Sequence, residues 1–165
     1  MSAYEAKGWS DFGVAVAGAG AALAGLLFVA LSINLDRILA GYRLTARAGS
    51  TLVLLATPLV IALLLLIPDQ RDVALGVELV LLGVFAGGAL AALNPPWRRA
   101  PEQHLFWWVI TNGTPTVLLS ASAIVAGIGT MTESLGGLYW LPVGVIVALL
   151  AALENAWVLL VEILR

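Results

Sequence analysis

Residues 138–165, LYWLPVGVIVALLAALENAWVLLVEILR, constrain the fold more than any other stretch of the chain. The run is long enough to cross a bilayer and almost wholly apolar, yet it carries Glu154, Asn155 and Glu162. Ionisable groups at membrane depth are costly and face other protein or a water-filled cavity. Another part of the chain, or a second copy of it, must therefore cover that face.

Composition agrees. Of 165 residues, 61% are hydrophobic and 11% charged, with a mean hydropathy of +1.02, whereas a soluble domain is nearer half apolar and a quarter charged. This is the composition of an integral membrane protein with little outside the lipid, read as a single transmembrane helical domain over residues 1–165. The net charge of -2, with basic residues scattered among loops, gives no nucleic-acid footprint. The absence of cysteine removes disulfides, thiolate metal sites and cysteine nucleophiles.

Five spans are expected, at about 11–35, 48–67, 73–93, 104–129 and 138–163, making an all-α polytopic bundle. Residues 1–10 are too polar for a signal-peptide core, and Ser10 or Asp11 is placed to cap the first helix. Within that helix Gly13, Ala17, Ala21 and Gly25 recur every four residues, with Gly18 beside them; small residues let membrane helices approach closely. Gly41 and Tyr42 are read as loop. The second span holds Pro58, which is expected to kink it. In the third, Gly76, Gly83 and Gly87 share a face and include a GxxxG spacing; Glu78 lies off that face and is read as reaching the near interface. Asn94-Pro95-Pro96 ends that helix. The fourth span contains Thr111, Asn112, Gly113, Thr114, Pro115 and Thr116, its most polar spot. Two readings are open there: a discontinuous helix exposing backbone groups at a transport site, or a proline kink whose threonines bond back to their own helix.

Five spans place the termini on opposite sides. Lys7 and Arg71 fall on the N-terminal side, and Arg37, Arg43, Arg47, Arg98, Arg99 and Arg165 on the other. The positive-inside rule then gives N-terminus out, C-terminus in. Aromatic residues form two bands, with Trp9, Tyr139 and Trp140 outside and Tyr42, Trp97, Trp107, Trp108 and Trp157 inside. Asn34, Asp36, Arg37 and Glu162 then share the inner rim. Glu154 lies about 12 Å deeper by helical rise. Asn155 and Glu162, seven apart, share a helix face. Glu154 has three roles open to it: protonated and hydrogen-bonded to an Asn, paired with an Arg, or lining an aqueous path.

Enzyme chemistry finds little to work with. His104 is the only histidine, so neither a histidine metal centre nor a histidine-based triad has its parts. Glu154 and Glu162 are about 12 Å apart along one helix, and no phosphate-binding glycine loop occurs. No catalytic residue, metal or cofactor is expected.

The runs GLLFVALSINLDRIL (residues 25–39) and ENAWVLLVEILR (residues 154–165) resemble those of small multi-pass membrane proteins of actinobacterial type, some labelled modulator of FtsH protease. That resemblance implies a multi-pass protein of the bacterial inner (cell) membrane. It assigns no catalytic or binding residue.

Two functions fit this frame, and two carboxylates with an asparagine on one helix, more than packing alone needs, favour the first. One is a channel or carrier for ions, protons or small solutes, with Glu154, Asn155, Glu162 and residues 112–116 lining a path. Five short helices enclose little volume, so that reading calls for a homo-oligomer. The other is a non-transporting interaction or regulatory subunit that binds another membrane protein through the same faces.

Overall fold

In the computed structural model, which describes residues 3–98 and 104–163, the chain is all helical. Arg99 and Arg165 lie outside the described residues, as do the side chains of Arg98 and Glu162. Among the described residues five helical stretches are long and apolar enough to cross a membrane: Ala6–Ile33, Tyr42–Leu65, Asp72–Leu93, Leu105–Thr132 and Gly137–Val161. A helix satisfies its own backbone hydrogen bonds, which is what lets each run lie in hydrocarbon.

Helix α1 (Ser10–Ile33) follows a 3-10 turn at Ala6–Trp9. The expected Ser10 cap is not made. Trp9 is the cap residue, and the Ser10 hydroxyl donates to the Lys7 carbonyl at 3.3 Å. Trp9 is buried, edge-on to Phe12 at 5.8 Å and to Tyr139 of the same aromatic band at 5.1 Å. The Leu138 N–H donates to the Ala3 carbonyl at 2.9 Å, so the N-terminal segment is stitched to the entry of the last helix.

Between Asn34 and Gly41 the chain forms a short helix, α2 (Leu35–Leu39). Helix α3 (Tyr42–Leu65) begins six residues before its expected start, taking in Arg43 and Arg47. Apolarity marks the slab a helix crosses, whereas arginine is a good helix former and extends it beyond. Thr45 helps close the corner, its hydroxyl donating to the Ile38 carbonyl at 2.9 Å. Pro58 is buried inside α3, and α3 runs unbroken past it. Thr57 donates to the Val53 carbonyl at 2.8 Å beside it.

Helix α4 (Asp72–Leu93) starts with Asp72 in its first turn, where a carboxylate favours the helix dipole. The fourth span is composite: α5 (Leu105–Trp108), a π-helical turn at Val109–Gly113, and α6 (Thr114–Thr132). Helix α7 (Leu141–Ile163) follows a 3-10 turn at Gly137–Trp140. The turn out of α6 needs left-handed backbone, at Glu133 (φ 50°), Leu135 (φ 56°), Gly136 (φ 84°) and Gly137 (φ 50°). Gly137 has a second reason to be glycine: a side chain there would run into Ala3 and Tyr4.

Helices α3, α4, α6 and α7 form the core of the bundle, and α1 lies outside it, packed along α3. The most extensive interface joins α4 to α6. Gly76, Gly83 and Gly87 all serve it. A Cβ on Gly83 would stand 2.9 Å from Ile124 and from the Ser120 carbonyl, and one on Gly87 2.5 Å from the Ser120 hydroxyl. On α1, Gly13 meets Ala62 and Leu66, and Ala17 packs on the core. The other small residues of that stripe do not pack: Gly18, Ala21 and Gly25 are exposed, and a Cβ on Gly18 or Gly25 would meet nothing within 4 Å. A step of four residues advances 40° round a helix, so three steps leave the contact face. The face that packs runs instead through Gly13, Val16, Gly20, Leu27 and Leu31, with Gly20 against Leu59.

Candidate functional site

Close approaches fix the helix registers. Asn94, at the end of α4, donates from Nδ2 to the Ser50 hydroxyl of α3 at 2.7 Å. Gly83 and Gly87 of α4 both abut Ser120 of α6. Following those antiparallel helices seven residues on from Gly87 to Asn94 leads, on the other helix, back to the π turn at Val109–Gly113. Gly144 of α7 lies against Ser122 and Leu118 of α6; eleven residues on is Asn155, and eleven back from Ser122 is Thr111. Ser50, Thr51, Asn94, Thr111, Asn112 and Asn155 thus lie within about a turn of one level. They come from α3, the end of α4, the π turn before α6, and α7. Only Asn112 and Asn155 of these are expected transport residues.

Most of this level is satisfied close to home. Ser50 donates to the Ala46 carbonyl at 2.8 Å and Thr51 to the Arg47 carbonyl at 2.8 Å. Asn94 also donates to the Leu90 carbonyl at 3.3 Å. Thr111 donates to the Trp107 carbonyl at 2.9 Å, and Asn112 Nδ2 donates to the Thr111 hydroxyl at 2.9 Å.

The π turn absorbs the polar run without unwinding. The Thr114 N–H reaches five residues back to the Val109 carbonyl, and its hydroxyl donates to the same oxygen at 3.1 Å. Thr116 donates to the Asn112 carbonyl at 2.7 Å. Pro115 is buried in the first turn of α6 and, with the helix continuous through the π turn, brings no N–H to the ladder there. Of the two readings left open for this segment, the threonines follow the second, and the turn that results is a widened one. Residues 105–132 are helical throughout.

Beyond this level, toward the end of the bundle that holds the N-terminus, the large side chains of the core are apolar, with Thr57, Ser122 and Thr130 buried among them. Ile61, Leu75, Leu79, Leu119, Leu138, Leu141 and Val145 are each at most 1% exposed.

Helix α7 separates the two neighbours at its centre. Asn155 is half-buried, whereas Glu154 is exposed, sharing the outward side of α7 with Leu150, Trp157 and Val161. One residue is 100° of helix, enough to move a side chain from core to surface. Glu154 is about 10 Å inside the end of the apolar span Gly137–Val161 by helical rise. Further along the same outward side stand Val143, Ile146 and Leu150, all apolar and exposed. Glu162 follows Asn155 by two turns in the backbone of α7.

The remaining candidates are apart from this level. Asn34 closes α1, donating from Nδ2 to the Ala30 carbonyl at 2.9 Å. Asp36 and Arg37 are exposed on α2. At the opposite end, Glu78 does not reach the interface alone: Gln70, from the α3–α4 loop, folds over it and donates from Nε2 to its carboxylate at 2.5 Å. Among the described residues no cluster of three His, Asp or Glu side chains is placed to hold a metal ion.

Ser50, Thr51, Asn94 and Gln70 are polar contributors that the sequence does not single out. Each is one polar residue in an apolar or turn context, and only the helix register brings them to partners.

Fold and site together define a multi-pass α-helical membrane protein, with a polar level across its core and a carboxylate on its outer surface. No protein-family model, curated protein or solved structure matches the chain.

Proposed function

We propose that this chain is a non-transporting interaction subunit of the bacterial inner membrane, docking on another membrane protein through the side of α7 that carries Glu154. The observation that carries the reading is the exposure of Glu154 about 10 Å inside an apolar span. A carboxylate there is costly against lipid and calls for a partner helix bearing a hydrogen-bond donor or a basic group. A second copy related by a two-fold axis through that face brings only another Glu154 and the apolar residues beside it, with no basic group, whereas a different protein can supply one. The excess of arginine at the C-terminal end supports N-terminus out and C-terminus in. The resemblance of residues 25–39 and 154–165 to actinobacterial-type inner-membrane proteins supports the location. No catalytic role is proposed.

A homo-oligomeric channel or carrier for protons, ions or small solutes is the second reading. It is favoured by the coincidence in depth of Glu154 with the polar level through Asn112 and Asn155. Against it stand the fully buried Ile61, Leu79 and Leu119 in the core and the apolar outward side of α7 at Val143, Ile146 and Leu150. A path would therefore have to form between copies.

One pair of measurements separates the readings. A photo-crosslinking residue is placed at Leu150 in cells, and the purified chain is assayed for proton and cation flux in proteoliposomes. The first reading expects a cross-linked adduct with a different protein, retained in Glu154→Gln, lost in Glu154→Leu, and no flux above empty vesicles. Adducts only between copies, with flux that Glu154→Gln abolishes, would replace it with the second.

A further inference from the structure

Because α1 packs on α3 and lies outside the four-helix core, a cleft of about 200 Å³ opens between α1 and α7, with Leu55 of α3 among its lining residues. Every lining residue is apolar, and the walls grade from buried to open. Leu27, Leu55, Ala152 and Leu159 are at most 7% exposed, whereas Leu26, Leu153 and Leu160 at the rim are 71%, 47% and 44% exposed. All of the α1 and α7 residues belong to membrane-spanning stretches, so the mouth opens sideways at membrane depth.

One end of the cleft is closed. Ile38 of α2 is 3% exposed and packs with Leu31 and Leu159, both lining residues, and with Ala48 and Leu44. The α2–α3 corner that delivers Ile38 carries Arg37, Arg43 and Arg47 against Asp36, a net positive charge, with Arg43 exposed. An apolar slot in the hydrocarbon therefore ends at a basic corner.

Size and chemistry narrow the occupant. Water has no polar partner in the slot and does not fill it. A transmembrane helix, about 10–12 Å across with its side chains, does not enter a space of this volume. An apolar cavity of about 150 Å³ takes up a molecule the size of benzene, so this one accommodates a segment of alkyl chain. Left empty, the lining would lose dispersion contacts on one side. We propose that the cleft binds one acyl chain of an anionic phospholipid, whose phosphate lies at the α2–α3 corner.

The test is mass spectrometry of the phospholipid retained by the full chain after extraction from vesicles of phosphatidylethanolamine and phosphatidylglycerol. Wild type is expected to keep one phospholipid, with phosphatidylglycerol enriched over its share in the vesicles. Ala156→Phe and Ala30→Phe, which fill the slot from α7 and from α1, are expected to lose it. Leu81→Phe, on an exposed position of α4, is expected to keep it. Arg43→Gln leaves the slot untouched and is expected to reduce the enrichment about fivefold, the effect of one basic residue near anionic lipid. That variant is at an exposed position and keeps the proposal testable should the filled variants misfold. No retained lipid in wild type would overturn it. So would retention that survives both fillings, or an enrichment that Arg43→Gln leaves unchanged.

Discussion

Gly76 and Gly127 meet backbone to backbone across the α4–α6 interface: a Cβ on Gly76 would stand 2.6 Å from the Gly127 carbonyl oxygen, and one on Gly127 2.9 Å from Val80. Close contact between backbones is what binds membrane helices, since lipid is as apolar as the side chains it replaces. Gly76→Ala and Gly127→Ala are therefore expected to destabilise the bundle by about 1–3 kcal/mol each, the usual cost of overpacking. Gly88 is exposed on the same helix and a Cβ there meets nothing within 4 Å. Gly88→Ala should leave stability level or slightly raised. Thermal unfolding in detergent, followed by helical circular dichroism, compares the three.

Gly144 is blocked first by the side chain of Ser122: a Cβ there would collide with the Ser122 hydroxyl and lie 2.9 Å from its Cβ, with the Leu118 carbonyl oxygen further off at 3.3 Å. The obstacle can be removed by mutation. Gly144→Ala should be destabilising alone, and less so in a chain that also carries Ser122→Gly. A double-mutant cycle with a coupling indistinguishable from zero would contradict this contact.

The Asn94–Ser50 bond ties the end of α4 to α3. Side-chain hydrogen bonds inside membrane proteins average about 0.6 kcal/mol by double-mutant cycle, with a maximum near 1.7. A cycle of Asn94→Ala and Ser50→Ala is expected to return a coupling in that range. Ser50 keeps its own bond to Ala46, so Asn94→Ala alone should be mild.

Pro115 keeps the turn before it wide, because it offers no N–H to draw the backbone back into α-helical register. Pro115→Ala supplies that donor. Amide hydrogen exchange at residues 109–116 should slow as the π turn tightens. Unchanged exchange would mean that the threonine and asparagine bonds alone hold the turn.

Gln70 and Glu78 make an asymmetric pair. Glu78 is half-buried, and Gln70 Nε2 donates to its carboxylate. Gln70→Ala removes the donor and leaves the acceptor behind, which costs about 1–3 kcal/mol for a buried group. Glu78→Leu removes the need for the donor and is expected to cost less. Unfolding midpoints of the two variants in one detergent decide the order.

Five membrane-spanning stretches are legible in the sequence because span length and apolarity are properties of a contiguous run, and each of the five runs overlaps one of the long helical stretches. Helix ends were less so. The start of α3 at Tyr42, ahead of two arginines, reflects helix propensity extending beyond the apolar slab. The glycines of α4 could be read as a packing face, but not that their partner is α6 of the same chain.

What tertiary structure alone decided is which way each helix turns and which neighbour it meets. Glu154 and Asn155 adjoin in sequence and part by 100°, one to the surface and one toward the core. Gly13 and Gly25 belong to one four-residue pattern and end on different sides of α1. Ser50, Asn94 and Thr111 lie far apart in the chain and share a level only because the close glycine contacts of α4 and α6 and the Asn94–Ser50 bond set the registers. A linear sequence states what each helix can bury. The registers between helices, set by contacts distant in the chain, select what it does bury.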